Sequence, residues 1–186
     1  NGVSTTYAYD LIGRLTTVTY PSGSVVYTYD AANRLTSMLD DTGTTLYAYD
    51  ELDRLSSATA PGNRVVAYDY DAAGNLSRLT YPDGKTVDYT YDDANRLTTV
   101  SDWLSQLTQY SYDEAGRLTL SSFPNGVSEA RAYDAADRLT SLVATRGGTT
   151  LTSFGYTLDD AGMRVAVEDL VGVESYAYDE LYRLVG

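Results

Sequence analysis

Acidic and basic side chains recur at fixed places along the chain, and they are the first candidates for chemistry. Rows of carboxylates suggest calcium binding, but an Arg stands four residues after seven of the nine repeated Asp residues and would compete for their oxygens. Because this pair repeats with a constant period, we interpret it as an ion pair that braces a turn. The repeated Asp residues, 20, 20, 21, 21, 21, 21, 25 and 20 residues apart, are Asp10, Asp30, Asp50, Asp71, Asp92, Asp113, Asp134, Asp159 and Asp179.

Other arrangements that resemble active sites are weak. Asp41-Thr42-Gly43-Thr44 has the sequence of an aspartic-protease tetrad, but that chemistry needs two such carboxylates, and the chain has one copy. No Asp pair stands apart from the others as a glycosidase pair. The chain has no His and no Cys, which removes the commonest general base and all thiolate metal sites. We therefore predict that the chain is not an enzyme and needs no cofactor.

The elements that position these residues are strands and turns. Before each repeated Asp, Tyr alternates with smaller residues, which is the period of a β-strand. After the Asp comes a four-residue turn, then Arg, Leu and a second strand. The fourth turn position tolerates positive φ where it is Gly or Asn, as at Gly13, Asn33, Gly74, Asn95 and Gly116. We predict second turns with a left-handed Gly at Pro21-Ser22-Gly23, Pro82-Asp83-Gly84 and Pro124-Asn125-Gly126. The predicted structural motif is formed by Tyr27, Tyr29, Asp30, Arg34, Tyr47, Tyr49, Asp50, Arg54, Tyr89, Tyr91, Asp92, Arg96, Tyr110, Tyr112, Asp113 and Arg117.

These signals predict an all-β fold of tandem β-hairpins. Short turns at both ends of each hairpin favour one long antiparallel β-strip of roughly 18 strands, which should twist or spiral. We interpret residues 1–186 as a single array of about nine repeats, and as a segment of a longer protein. Apolar residues such as Leu15 and Val18 stand at both parities of the second strand, so either both faces are partly covered or a bulge changes the parity.

The net charge of the chain and the unpaired edges of its predicted sheet limit the partners that the chain can bind. With 26 Asp and Glu against 13 Lys and Arg, the chain lacks the positive surface that nucleic acids require. No apolar stretch is long enough for a membrane span in this segment. A sheet of this kind has unpaired edges, so we expect neighbouring repeats or other copies of the chain to cover them.

Two places depart from the repeat and are candidates for local function. Trp103 lies where a Pro-x-Gly turn is expected, and it is a possible ligand contact because an exposed Trp can stack on a sugar or a partner side chain. The second place is a lengthened connection around Arg146-Gly147-Gly148. In that repeat Leu158 replaces the second Tyr, and we align Met163-Arg164 with the Asn-Arg of other repeats.

The motif Tyr-x-Tyr-Asp-x-x-Gly-Arg-Leu, complete at Tyr110 to Leu118 and followed by a Pro-x-Gly turn, resembles the YD repeat of Rhs proteins, teneurins and insecticidal toxin-complex shells. The resemblance covers nearly the whole chain. It implies a hollow shell that encloses a C-terminal toxic polypeptide, and an extracellular or cell-surface location. A scaffold that forms an extended surface or a filament by end-to-end assembly is the open form of the same hypothesis. Because the chain has no counterpart of the self-cleaving region of the toxin shells, we do not assign that activity to it. An alternative implied by the teneurins is an adhesion module that binds carbohydrate or protein through exposed Tyr rows.

Overall fold

Every regular element is a β-strand in residues 4–186, the range that the computed structural model describes. The chain divides into two compact units, residues 1–88 and 89–186. The first unit contains β1 (Thr6–Tyr9), β2 (Leu15–Tyr20), β3 (Gly23–Tyr29), β4 (Leu35–Asp40), β5 (Gly43–Tyr49), β6 (Leu55–Ala60), β7 (Arg64–Tyr70), β8 (Leu76–Thr80) and the start of β9 (Thr86–Tyr91). The second contains the end of β9, then β10 (Leu97–Ser101), β11 (Leu107–Tyr112), β12 (Leu118–Ser122), β13 (Val127–Tyr133), β14 (Leu139–Arg146), β15 (Thr149–Leu158), β16 (Arg164–Glu168) and β17 (Val173–Ser175).

Within each unit, strands that follow one another along the chain pair antiparallel. The predicted all-β fold of tandem hairpins is therefore confirmed. The described residues form 17 strands where about 18 were expected. The difference lies in the last hairpin, whose return segment makes only a single bridge from Tyr178 to Leu184.

A β-bulge beside each Asp turn resolves the parity of the apolar residues. Tyr27 lies opposite Met38 and Tyr29 opposite Leu35, so Thr36 is an extra residue in the second strand. Residues directly opposite each other in an antiparallel pair share a face, and the Tyr and Leu side chains therefore lie together on what we call the Tyr face. The bulge alternative is confirmed. The same register shift occurs at Tyr9, Tyr49, Tyr70, Tyr112, Tyr133 and Leu158.

The opposite face is rich in hydroxyl groups, and burial is shallow on both faces. Thr28 Oγ1 lies 2.6 Å from Ser37 Oγ, and the equivalent contact between Thr90 and Thr99 has the same length. Among the described residues, the buried hydrophobic core is limited to Val87, which is 9% exposed. Within each unit, the Tyr face of the described residues is thus only half-buried by its own neighbours.

The three second turns predicted with a left-handed Gly follow two designs. Gly84 and Gly126 are left-handed as predicted, with φ of 82° and 80°, in five-residue loops. The prediction for Gly23 was wrong, because Gly23 opens β3 and pairs with Tyr20 across a two-residue turn. Its lack of a side chain instead leaves room for the next turn, since a Cβ at this position would lie 2.6 Å from Asp41 Oδ2.

The lengthened connection is a longer hairpin with a tight turn. Arg146 pairs with Thr149, and Gly147 and Gly148 have φ of 56° and 82°, the left-handed pair that a two-residue hairpin turn prefers. The 25-residue spacing therefore comes mainly from β14 and β15, which have 8 and 10 residues.

Candidate functional site

The repeated Asp closes a compact turn, as the example at Asp30 shows. Its Oδ1 accepts hydrogen bonds from the backbone N–H groups of Ala32 and Arg34, both at 2.9 Å. Its Oδ2 accepts a hydrogen bond from Arg34 Nε at 2.7 Å. Asn33 has a φ of 66°, which completes the turn and explains the choice of Gly or Asn there. Both carboxylate oxygens are thus engaged within the turn.

These hydrogen bonds shift the ionisation of the carboxylates. The backbone N–H of Arg34, followed by its guanidinium, lowers the pKa of Asp30 below its ordinary value. In Asp71 the side chain of Asn75, which replaces Arg, is the largest cause of a lowered pKa. The pKa is likewise lowered at Asp10, Asp50, Asp92, Asp113, Asp134 and Asp179.

The Arg of each regular repeat also contacts the next repeat. The Arg34 guanidinium lies 4.8 Å above the ring centre of Tyr49, within the range of a cation–π contact, and Arg34 Nη1 bonds the carboxylate of Asp53 in the next turn. Tyr49 donates its hydroxyl hydrogen bond to the Leu35 carbonyl at 2.9 Å. One Arg therefore joins its own Asp turn to the Tyr and the turn that follow, and we call this arrangement the Arg–Tyr junction.

The Arg–Tyr junction recurs in both units with nearly constant geometry. The Tyr hydroxyl donates to the Leu carbonyl at 2.8 or 2.9 Å in each case. Ring-to-guanidinium distances lie between 4.4 and 5.0 Å at Arg14–Tyr29, Arg34–Tyr49, Arg54–Tyr70, Arg96–Tyr112 and Arg117–Tyr133.

The structure assigns different positions to the two Tyr residues of the motif. The second Tyr enters the Arg–Tyr junction, whereas the first lies farther from the turn, opposite the second strand of its own hairpin. Thus Tyr27 faces Met38, and Tyr110 faces Ser121. In the first unit, Tyr47 lies opposite Ala58. Tyr89 and Tyr91 belong to β9, which precedes the Asp92 turn.

Sequence reasoning identified the Asp–Arg pair within each turn but missed the Arg–Tyr junction between repeats. A signal was present, because each second Tyr follows the Leu of the previous repeat by 14 or 15 residues. A second missed feature is a polar cluster on the Tyr face of the second unit, where Arg131 replaces the first Tyr. Arg131 bonds Glu129 at 2.6 Å and the buried Ser121 at 3.1 Å.

The eighth repeat differs from the others. Asp159 N–H donates to the Met163 carbonyl, so Met163 occupies the position of the Arg and Arg164 that of the Leu. The alignment of Met163-Arg164 with Asn-Arg was therefore wrong by one residue. Arg164 stacks over Tyr156 of its own repeat, at 4.8 Å, rather than over a Tyr of the next. Arg138 reaches the Asp159 carbonyl but meets Leu158 in place of a second Tyr.

Two motifs singled out from the sequence lie in turns. Trp103 is in the turn Asp102–Gln106, which has the hydrogen bonds of an Asp turn: Asp102 Oδ1 accepts from the N–H groups of Leu104 and Gln106. Trp103 is 46% exposed, and its role as a ligand contact stays a prediction. The protease-like tetrad begins in the tight turn between β4 and β5, and its Gly43 and Thr44 open β5. In this turn Asp40 accepts hydrogen bonds from the N–H and the hydroxyl of Thr42.

Comparisons with known proteins agree with this geometry. Tandem hairpins with a repeated Tyr-Asp motif make this a YD-repeat protein of the Rhs type, as the resemblance implied. A model of the teneurin YD-shell matches residues 1–179, so the chain belongs to the teneurin YD-shell family. No curated protein matches the sequence.

The fold is similar to parts of solved toxin-complex structures. TcdB2-TccC3 matches with a TM-score of 0.78 and 18% identity over 99% of this chain, and TcdB2-TccC3-Cdc42 with 0.76 and 15% over 96%. The Photorhabdus luminescens Tc holotoxin pore, with the TccC3 mutation D651A, matches with a TM-score of 0.56 and 15% identity over 97%. The chain spans only 12% or 13% of the length of those chains. At these identities the likeness shows a shared fold.

Proposed function

We propose that the chain is a wall segment of a β-shell that encloses a polypeptide cargo, and that it has no catalytic activity of its own. The observation that best supports this is the recurrence of one Arg–Tyr junction in both units with almost unchanged distances. Because the junctions are alike, the sheet can be extended one repeat at a time, and no repeat stands out as an active site. The oxygens of the Asp carboxylates in the regular turns are also engaged in bonds within their turns.

The two faces of the sheet support a wall with unlike sides. The Tyr face consists mainly of Tyr and aliphatic side chains, with Arg131 and Glu129 as polar exceptions, whereas the opposite face has hydroxyl contacts such as Thr28 to Ser37. A wall that turns its Tyr face toward an enclosed polypeptide would remove apolar surface from water.

Neighbouring repeats are the partners that fit the sheet edges. The Arg183 side chain is 73% exposed, although it pairs with Asp179 as its equivalents do. The equivalent Arg117 is only 27% exposed, because Tyr133 of the next repeat lies under it. A following Tyr-Asp repeat, from the same protein or another copy, would cover Arg183 in the same way. From the family we also infer an extracellular or cell-surface location.

Cryo-EM of the full-length source protein tests this proposal. We expect closed hollow particles with polypeptide density inside, and open ribbons or filaments would contradict encapsulation. The full-length double variant R96A/R117A, which removes two junctions, should lose closed particles. The matched variant R64A/R146A changes two Arg residues outside the junctions and should keep them.

Trp103 supports a second hypothesis, an adhesion module that binds carbohydrate or protein. The observation that favours it is Trp103 itself, which is 46% exposed on its turn. Glycan-array binding that is lost in W103A but kept in L104A, its exposed neighbour, would support adhesion. Absence of binding by the unaltered chain would contradict it.

A further inference from the structure

A cavity lies between the eighth repeat and the segment that follows it, where the Arg of a regular junction is missing. In a regular junction, the Arg guanidinium covers the second Tyr of the next repeat, and the Leu side chain lies on the Tyr face beside it. Here Met163 replaces the Arg, Arg164 replaces the Leu, and Leu158 replaces the second Tyr of the same hairpin. The result is a cavity of about 440 Å³ on the Tyr face, lined by Leu158, Met163, Arg164, Tyr176, Tyr178 and Leu184.

Arg164 is the cation of this cavity. Its guanidinium lies over the Tyr156 ring at 4.8 Å, but no ion pair joins it to a carboxylate in the described range. In contrast, the stacked Arg96 and Arg117 are each paired with the Asp of their own turn, at 2.7 and 2.8 Å. A guanidinium that lies over a ring and has no ion pair keeps N–H groups available, and those groups match the two oxygens of a carboxylate.

The remaining walls are aromatic or apolar. The hydroxyl of Tyr178 donates to the Arg164 carbonyl at 2.9 Å, and that of Tyr176 donates to Glu174 at 2.8 Å. Because these hydroxyls are already engaged, the two Tyr residues offer mainly their rings to a ligand. The volume falls in the range of small-molecule pockets.

We propose that this cavity binds a small carboxylate whose body is a ring. The carboxylate pairs with the Arg164 guanidinium, and the ring packs against Tyr176, Tyr178 and Leu158. Glu174 and the net charge of −13 oppose an anion, so binding is expected to be weak. The site does not depend on whether the chain is part of a shell.

An NMR titration of the 186-residue chain with sodium phenylacetate tests the site. We expect saturable shifts confined to residues 158–164 and 176–184. Phenylacetamide, which has the same ring but no charge, should bind about tenfold more weakly or worse, since a charge-assisted hydrogen bond is lost. Equal binding of the two compounds, shifts spread along the chain, or no saturable shifts at all would overturn the proposal.

Substitutions at Arg164 separate binding from folding. R164L installs the Leu that regular repeats have at this position, so the fold should persist while phenylacetate affinity falls about tenfold or more. R164K keeps the charge but not the planar fork and should bind with intermediate affinity. R146L, which removes an Arg at the end of β14, is the matched control and should bind like the unaltered chain. Unchanged phenylacetate affinity in R164L or in R164K would overturn the assignment of Arg164.

Discussion

The junction at Arg96 and the eighth repeat show that one motif can either join two repeats or leave a cavity between them. Arg96 pairs with Asp92, stacks on Tyr112 at 4.7 Å and reaches the Asp113 carbonyl, so it joins two repeats. In the eighth repeat the Arg stands one residue later, stacks on its own repeat and leaves the next one uncovered. A shift of one residue thus changes an Arg from a link between repeats into a lining residue.

The largest difference in stability between a regular repeat and the eighth repeat should come from removing the side chain at the position of the second Tyr. Y112A loses the ring under Arg96 and the hydroxyl bond to the Leu97 carbonyl, and we expect it to lower the free energy of unfolding by about 2–4 kcal/mol. L158A, at the equivalent position of the eighth repeat, removes no such contacts and should cost about 1–2 kcal/mol. Urea unfolding of both variants measures the difference. Equal costs would mean that the second Tyr contributes no more than a Leu.

Removing the Arg should give the next largest effect. R96A loses the cation–π contact and a charged hydrogen bond, with an expected cost of about 1–2 kcal/mol. M163A, at the same position of the eighth repeat, should cost less than about 1 kcal/mol. A double-mutant cycle of Arg96 and Tyr112, followed by urea unfolding, measures their coupling. Additive costs in that cycle would contradict the Arg–Tyr junction.

Restoring the second Tyr in the eighth repeat should reduce the difference in stability between this repeat and a regular one. L158Y places a ring beneath Arg138 and a hydroxyl within reach of the Leu139 carbonyl, and should stabilise the chain by about 0.5–1.5 kcal/mol. L158F supplies the ring without the hydroxyl and separates the two contributions. Thermal unfolding of the three proteins is the measurement. A less stable L158Y would show that the neighbouring strands no longer accept a Tyr.

The smallest expected effect per residue is the pH dependence of stability that comes from the Asp turns. Folding lowers the pKa of Asp113, chiefly through the backbone N–H of Arg117, so its stabilising contribution is present above the unfolded value of about 3.9. That contribution is lost as pH falls through the lower, folded pKa. Urea midpoints should therefore decline below about pH 4, and D113N should show a shallower decline. A decline between pH 7 and pH 5 would point to other groups.

The turn chemistry could be predicted from the sequence because each turn is made within five residues. Asp30, Asn33 and Arg34 bond one another directly, and their spacing alone indicates those bonds. The Arg–Tyr junction could not be derived in this way, since the pairing of Arg34 with Tyr49 depends on the register of strands between them. Gly23 misled the prediction because its role is set by Asp41 of the next turn.

The sequence by itself determined the period, the alternating strands and the Asp turns, because each of these is a local preference of a few residues. Only the tertiary structure decided which residues share the Tyr face, because a bulge of one residue at Thr36 reverses the parity that the sequence shows. The tertiary structure also decided that Arg164 lines a cavity. An Arg can stack on a Tyr of the next repeat or on a Tyr of its own repeat. The outcome depends on the face of the sheet on which the Arg lies, and pairing with the neighbouring strand sets that face.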